Sequence, residues 1–323
     1  MLDSLEMREI YCEEMIKLAK SDDRIVTVEA DLCKAAGMMK FKEIFPDRVF
    51  DAGVAEANMT GMAAGLAAMG KRPFMHTFAP FVTRRALDQL TVSIAYTGLP
   101  VKIIGSDPGL AAELNGGTHM SFDDMGIMRA IPHMTVFEPA DEAGLRALLP
   151  QMHALDTPCY MRLYRKKAEK VYAEPTNSNN FKLGKCNLLK EGTDAIIIAY
   201  GLVLPECLAA AEELDTCGIK TAVADMHTLK PLDVEFVSDC LDKYEIIVTA
   251  ENHSVINGLG SAIAEYIAEN AKYKEGKEGK KAARFKRIGV NDRFGVVGFK
   301  PYLQEFLGLD KTSIAKTVKE MSV

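Results

Sequence analysis

Short β-rich runs alternate with helical runs along most of this chain, and that alternation restricts the folds open to it. The β-rich runs fall at 24–28, 101–105, 135–138 and 160–163, and helical patterns at 7–19, 59–69, 83–93 and 142–155. Strands interleaved with helices in this way predict an α/β fold whose mostly parallel sheet is covered by helices on both faces. Residues 171–185 break the pattern. Their stretch Glu174-Pro175-Thr176-Asn177-Ser178-Asn179-Asn180 is polar and rich in turn formers, and reads as an interdomain linker. The alternation then restarts, with strands at 195–199, 220–225 and 245–250 and helices at 205–217 and 260–270. The expected organisation is therefore a first domain at 1–170, a linker at 171–185 and a smaller α/β domain at 186–323. The charge run KYKEGKEGKK at 272–281 reads as a solvated loop.

Two domains suit a length of 323 residues. A net charge of −6 argues against a nucleic-acid binder, which would carry a basic patch. No apolar run is long enough for a membrane span. The opening MLDSLEMREIYCEEM is charged throughout, unlike a signal peptide, so the expected compartment is the cytoplasm. Seven cysteines are scattered without CxxC spacing, which indicates reduced, semi-buried thiols and no metal site.

Three segments carry chemistry. In Asp51-Ala52-Gly53-Val54-Ala55-Glu56-Ala57-Asn58-Met59 a strand end and a glycine turn place an acid at the start of a small-residue helix. Taken alone, Glu56 there is equally explained as a complement to the helix dipole. In KRPFMHTFAPFVTRRALDQ (71–89), Phe78 and Phe81 stand three apart around Pro80, where core packing is an alternative for either ring. In SDPGLAAELNGGTHMSFDD (106–124) a glycine turn presents His119, and a lone histidine is more often structural than catalytic.

In this order the three segments resemble the pyrimidine-binding domain of transketolases, with its G-[VI]-x-E, T-F-x-x-F and D-G-x-T-H patterns. Asp31, in Ala30-Asp31-Leu32, resembles that family's A-D-L motif. Arg8 and Arg165 stand where the family has phosphate-binding arginines. The segments Ala250-Glu251-Asn252-His253-Ser254 and Gly258-Leu259-Gly260-Ser261-Ala262 resemble the family's C-terminal domain. The fold so implied is a thiamine diphosphate pyrimidine-binding domain followed by a transketolase C-terminal domain.

The resemblance implies thiamine diphosphate as cofactor and ketol transfer as reaction. A two-carbon unit would move from a ketose phosphate to an aldose phosphate, as in the pentose phosphate pathway. Glu56 would hydrogen-bond N1′ of the aminopyrimidine, Phe81 would stack on that ring with Phe78 as pocket wall, and Asp31 would flank the thiazolium. His119 would reach the substrate's carbonyl or first hydroxyl, and Arg8 and Arg165 would hold its phosphate. Four positions depart from the family. Asn115 replaces an acid that contacts a substrate hydroxyl, and Ala35 a phosphate-binding serine. Asp107 stands about where a histidine is, and Arg84 replaces an aromatic residue near the pyrimidine.

No GDG occurs in the sequence, so the implied grip on diphosphate and Mg2+ would belong to a partner, the N-terminal transketolase subunit. The expected assembly is an α2β2 heterotetramer, in which two copies of this chain associate through both of their domains. Competing readings are the β subunit of a 2-oxo-acid dehydrogenase, a 1-deoxyxylulose-5-phosphate synthase-like enzyme and a scaffolding homologue without chemistry. The T-F-x-x-F and G-G-T-H segments favour the transketolase.

Overall fold

The structure, a computed structural model, describes residues 5–172, 181–270 and 283–322. The polar stretch 174–180 and the charge run 272–281 lie outside the described residues.

In the first half, α1 (Met7–Ser21) opens on a capping box, in which Glu6 and Glu9 each satisfy the other's backbone N–H. It leads into β1 (Ile25–Glu29), whose β-branched IVTV run is buried throughout. Next come α2 (Met39–Ile44), β2 (Val49–Asp51), α3 (Glu56–Ala68) and β3 (Arg72–Phe78). The expected helix at 83–93 is instead wound from π turns, Phe81–Arg85 and Leu90–Ala95, around the single turn α4 (Leu87–Gln89). Then follow β4 (Lys102–Ser106), α5 (Asp124–Ala130), β5 (Thr135–Phe137), α6 (Glu142–Ala154) and β6 (Cys159–Leu163). Asp141 caps α6, and its second oxygen also accepts from the N–H groups of Val171 and Tyr172, which pins the chain as it leaves the domain.

The second half runs β7 (Asn187–Lys190), β8 (Ala195–Ala199), α7 (Leu204–Thr216), β9 (Thr221–Asp225) and β10 (Thr228–Lys230). It continues through α8 (Val234–Lys243), β11 (Ile246–Ser254), α9 (Leu259–Asn270), β12 (Arg284–Val290), α10 (Lys300–Leu307) and α11 (Lys311–Ser322).

The strands form two sheets, in the orders β10-β5-β6-β4-β3-β1-β2 and β12-β11-β8-β9-β7. Each is parallel except at one edge, where β10 lies antiparallel to β5 and β7 antiparallel to β9. The alternation pointed to parallel sheets and did not reveal these edges. Strand β10 also crosses the expected boundary, since it follows the linker in sequence yet completes the first sheet.

A buried charge cluster joins the halves. Arg162 on β6 has no exposed side-chain surface. It donates to Asp124 from Nε at 2.6 Å and Nη2 at 2.5 Å, to Glu138 at 3.2 Å, and to the Asn252 carbonyl on β11 at 3.0 Å. Burial alone would raise the Asp124 carboxyl. The Arg162 guanidinium more than offsets this and holds it at about 2. Tyr160 and Ser121 also donate to Asp124, at 2.6 and 2.7 Å.

The Glu251-Asn252-His253-Ser254 run of β11 docks on the first half residue by residue. Asn252 accepts from the Leu110 N–H at 2.9 Å and donates to the Pro108 carbonyl at 3.1 Å. His253 Nε2 accepts from the Gly126 N–H, and the Ser254 N–H donates to the Phe122 carbonyl. Glu251 turns the other way and accepts from the Leu259 and Gly260 N–H groups at the start of α9. No helix among the described residues is long and apolar enough to cross a membrane.

Removing one partner of a buried ion cluster strands the other charge, at a cost of about 3–5 kcal/mol. Arg162→Met should therefore lower the unfolding free energy by about that amount, as measured by urea denaturation. A loss below about 1 kcal/mol would show that the cluster does not hold the halves together.

Candidate active site

Four of the residues singled out from sequence come from the carboxyl ends of neighbouring parallel strands, where open α/β sheets bind ligands. Asp31 follows β1, Phe78 ends β3, Asp107 follows β4 and Arg165 follows β6. Three of the residues around this edge adopt positive φ without being glycine: Asp31 at 59°, Asp107 at 48° and Glu113 at 43°. Backbone strain of this kind concentrates at functional sites.

Glu56 is the first residue of α3, and its side chain is only 3% exposed. Nη1 of Arg85 lies 2.9 Å from each of its carboxylate oxygens. The same guanidinium lies over the Phe81 ring, its central carbon 4.2 Å from the centroid, while the Arg85 side chain stays half exposed. Phe81, Phe78 and His119 form a triangle of edge-on rings. Their centroids are 6.0 Å apart for Phe78–Phe81, 6.0 Å for Phe78–His119 and 5.1 Å for Phe81–His119. Nδ1 of His119 lies 3.0 Å from the Thr118 hydroxyl. Arg165 caps the far side of Phe78 at 4.7 Å, and is bound in turn to Asp107. Arg8 and Arg165 both donate to the Ala35 carbonyl, at 3.3 and 3.2 Å. A continuous row thus runs from Glu56 through Arg85, Phe81, His119, Phe78 and Arg165 to Arg8.

Three of the expected site residues stand beside this row. Asp31 is exposed, and Asp51 holds its loop by accepting from the N–H groups of both Asp31 and Gly53, at 2.9 Å each. That bond sets the Asp31 turn next to the glycine turn that precedes Glu56. Asn115 is exposed on the same turn as His119. Arg84 faces Asp123 at 3.8 Å, and its neighbour Arg85 takes the inward place. Sequence reasoning passed over Arg85. Positions three and four residues beyond Phe81 can both lie beside it on a helix, so spacing does not choose between the two arginines.

Beneath the row, Glu29 and His76 are fully buried at register-paired positions of β1 and β3, and neither side chain has a hydrogen-bond partner. Burial, with the Arg165 charge nearby, pushes His76 down to about 3. Burial, with Asp51 nearby, pushes the Glu29 carboxyl well up. His76 is therefore uncharged at neutral pH, and Glu29 is biased toward its protonated form. Among the described residues no group of three or more His, Cys, Asp or Glu could hold a metal ion.

Comparisons with known proteins place this geometry in context. Residues 3–170 match the transketolase pyrimidine-binding domain, and residues 184–314 the transketolase C-terminal domain. The 6-deoxy-6-sulfo-D-fructose transketolase subunit SqwH of a Clostridium species is 49% identical over 98% of this chain and 94% of its own length. A 1-deoxy-D-xylulose-5-phosphate synthase of Aquifex aeolicus is 32% identical, and this chain spans about half of that protein, 48%. Among solved structures, a split-gene transketolase described as an inactive β4 tetramer superposes with a TM-score of 0.85. It is 36% identical, and 98% of each chain is covered.

The Glu56–Arg85 pair is asymmetric, with a buried carboxylate facing a half-exposed guanidinium. Arg85→Ala leaves a buried acceptor unmet and should cost about 1–3 kcal/mol. Glu56→Gln leaves an arginine that water can solvate, and should cost under about 1 kcal/mol. Urea denaturation of both variants checks the order. The reverse order would mean that the burial of Glu56 is not what makes the pair matter.

Proposed function

This chain belongs to the transketolase family, and from that premise we propose that it is the subunit supplying the pyrimidine-binding and substrate-binding side of a thiamine diphosphate-dependent ketol transfer. The observation that carries the reading is the position of Arg85. A flat group with N–H donors lies on the Phe81 face and bonds the buried Glu56 carboxylate, and these are the two contacts an aminopyrimidine would need. Because Arg85 is half exposed, it can swing out to solvent and give up both. The residues present therefore fit the group.

Thiamine diphosphate, when bound, supplies a carbon nucleophile and an electron sink. Glu56 would then hold a proton at the pyrimidine ring nitrogen, a role suited to a carboxylate shielded from water. Phe81 would stack on the ring and Phe78 would wall the pocket. Asp31, on the turn beside Glu56, would flank the thiazolium. His119, edge-on to both phenyl rings, would donate to the donor's carbonyl oxygen or first hydroxyl, with Asn115 of the same turn nearby. Arg8 and Arg165 would hold the anionic end of the sugar through charge-assisted hydrogen bonds. Arg84, directed at Asp123, would line the outer rim.

A partner subunit would hold the diphosphate and Mg2+. Support comes from two relatives matched over nearly their whole lengths, one named a subunit and the other described as a split-gene transketolase in an inactive β4 form. A heterotetramer with two of these chains in contact is the assembly proposed. The named donor of the Clostridium relative makes a sulfonated ketose a candidate substrate beside the ketose phosphates.

The purified chain, given cofactor and Mg2+, should transfer no ketol unit, and adding the diphosphate-binding subunit should restore transfer. In that complex Glu56→Gln should lower kcat/KM by at least about a hundredfold. Robust turnover by the chain alone, or an unimpaired Glu56→Gln complex, would overturn the reading.

A further inference from the structure

The arginine pair at the far end of the row carries its own counter-ions. Arg8 donates from Nε to Glu6 at 2.7 Å, and its Nη2 lies 2.6 Å from the same oxygen. Arg165 donates from Nε to Asp107 at 2.7 Å, and its Nη2 lies 2.5 Å from the same oxygen. Two guanidinium groups therefore face two carboxylates, and the cluster is formally neutral. The remaining group that both arginines touch, the Ala35 carbonyl, is an acceptor and adds no donor.

Asp107 is fixed in this arrangement. It is 2% exposed, and its backbone is held at positive φ by an N–H bond to the Leu163 carbonyl at 3.0 Å. Its other oxygen accepts from the Arg165 N–H at 3.2 Å. The carboxylate cannot leave when an anion arrives. Glu6 is more open, with 28% of its side chain exposed, beside an Arg8 side chain that is 35% exposed. Two neighbouring groups add no net charge to the pair. His76 below is uncharged at neutral pH, and Lys166 is paired with Glu113.

We propose that Asp107, seconded by Glu6, sets the charge of the terminal group this site accepts, favouring a singly charged sulfonate over a doubly charged phosphate. The inference rests on the ketol-transfer reading above and names its donor class. Sulfonate and phosphate are both tetrahedral and offer three oxygens to the arginine forks, so shape does not separate them. Charge does. A phosphate monoester carries about −1.5 to −2 at pH 7, because its second pKa is about 6, whereas a sulfonate remains at −1. In a neutral cluster the second charge of phosphate meets a buried carboxylate that already occupies the Arg165 fork.

The test uses the complex of this chain with its diphosphate-binding subunit. Donors are 6-deoxy-6-sulfo-D-fructose and fructose 6-phosphate with a common acceptor, and each is also titrated calorimetrically. The wild-type complex should prefer the sulfonate by about tenfold or more in kcat/KM, in line with a charged hydrogen-bond partner lost or opposed. That preference should shrink as pH falls toward 6, where the phosphate becomes a monoanion. Asp107→Asn keeps the acceptor for the Arg165 N–H and should move the ratio toward phosphate by about tenfold. Glu6→Gln, at a half-buried position where Gln keeps the acceptor of the α1 capping box, should move it the same way by less.

A wild-type preference for phosphate, or a ratio that neither variant moves while both donors react, overturns the charge assignment and leaves the reaction standing. A complex that binds the sulfonated sugar in preference, loses that preference in Asp107→Asn, and transfers nothing from either donor overturns the ketol-transfer reading and leaves the charge assignment. A complex that neither binds nor turns over either sugar overturns both.

Discussion

The guanidinium of Arg162 is the contact on which the rest of the molecule depends. It sits where no water reaches and satisfies two carboxylates of the first half and a backbone carbonyl of the second. In such surroundings each charge tolerates burial only while the others are present, so the halves are locked in one relative position rather than merely attracted. The chain leaves the cluster along β6, and three residues after Arg162 it delivers Arg165 to the edge of the candidate site. Rigidity at the centre is thereby passed to the groups that would have to meet a sugar at fixed distances.

Much of the architecture was legible from the sequence, because each long element repeats its own period. The IVTV run of β1 and the Ala-rich α3 declare themselves over several residues. The short edges do not. Strand β10 has three residues and β2 has three, too few to show any period, and both exist because a neighbouring strand offers unpaired backbone groups. Within β3, Pro73 and His76 interrupt the apolar pattern, and parallel partners on both sides supply what the local sequence lacks. The π turns at Phe81–Arg85 follow no rule of composition, yet they coincide with the aromatic part of the site.

The candidate site was legible in outline. Glu56, Phe78, Phe81, His119, Arg8, Asp107 and Arg165 are widely separated in sequence, and the fold brings them into one row, while Asp31, Asn115 and Arg84 lie beside it. What sequence could not supply was the pairing. Arg85 was hidden by its neighbour, and Asp107 could be noticed as a departure but not as the bound counter-ion of Arg165. In the same way, Glu251-Asn252-His253 was recognisable as a motif, while its work in this molecule, stitching β11 to the turn at 109–115, to α5 and to α9, exists only in three dimensions.

The placement of β10 separates two notions of a domain. Likeness to known families divides the chain between residues 170 and 184, yet the backbone groups on the outer side of β5 are met by a strand beyond that point. A polypeptide ending at the boundary would contain every recognisable pyrimidine-side residue and still present β5 as a bare edge, ready to pair with any extended chain it encountered. The segment that inheritance treats as a module is thus not one that can be detached. Its last strand is on loan from its neighbour.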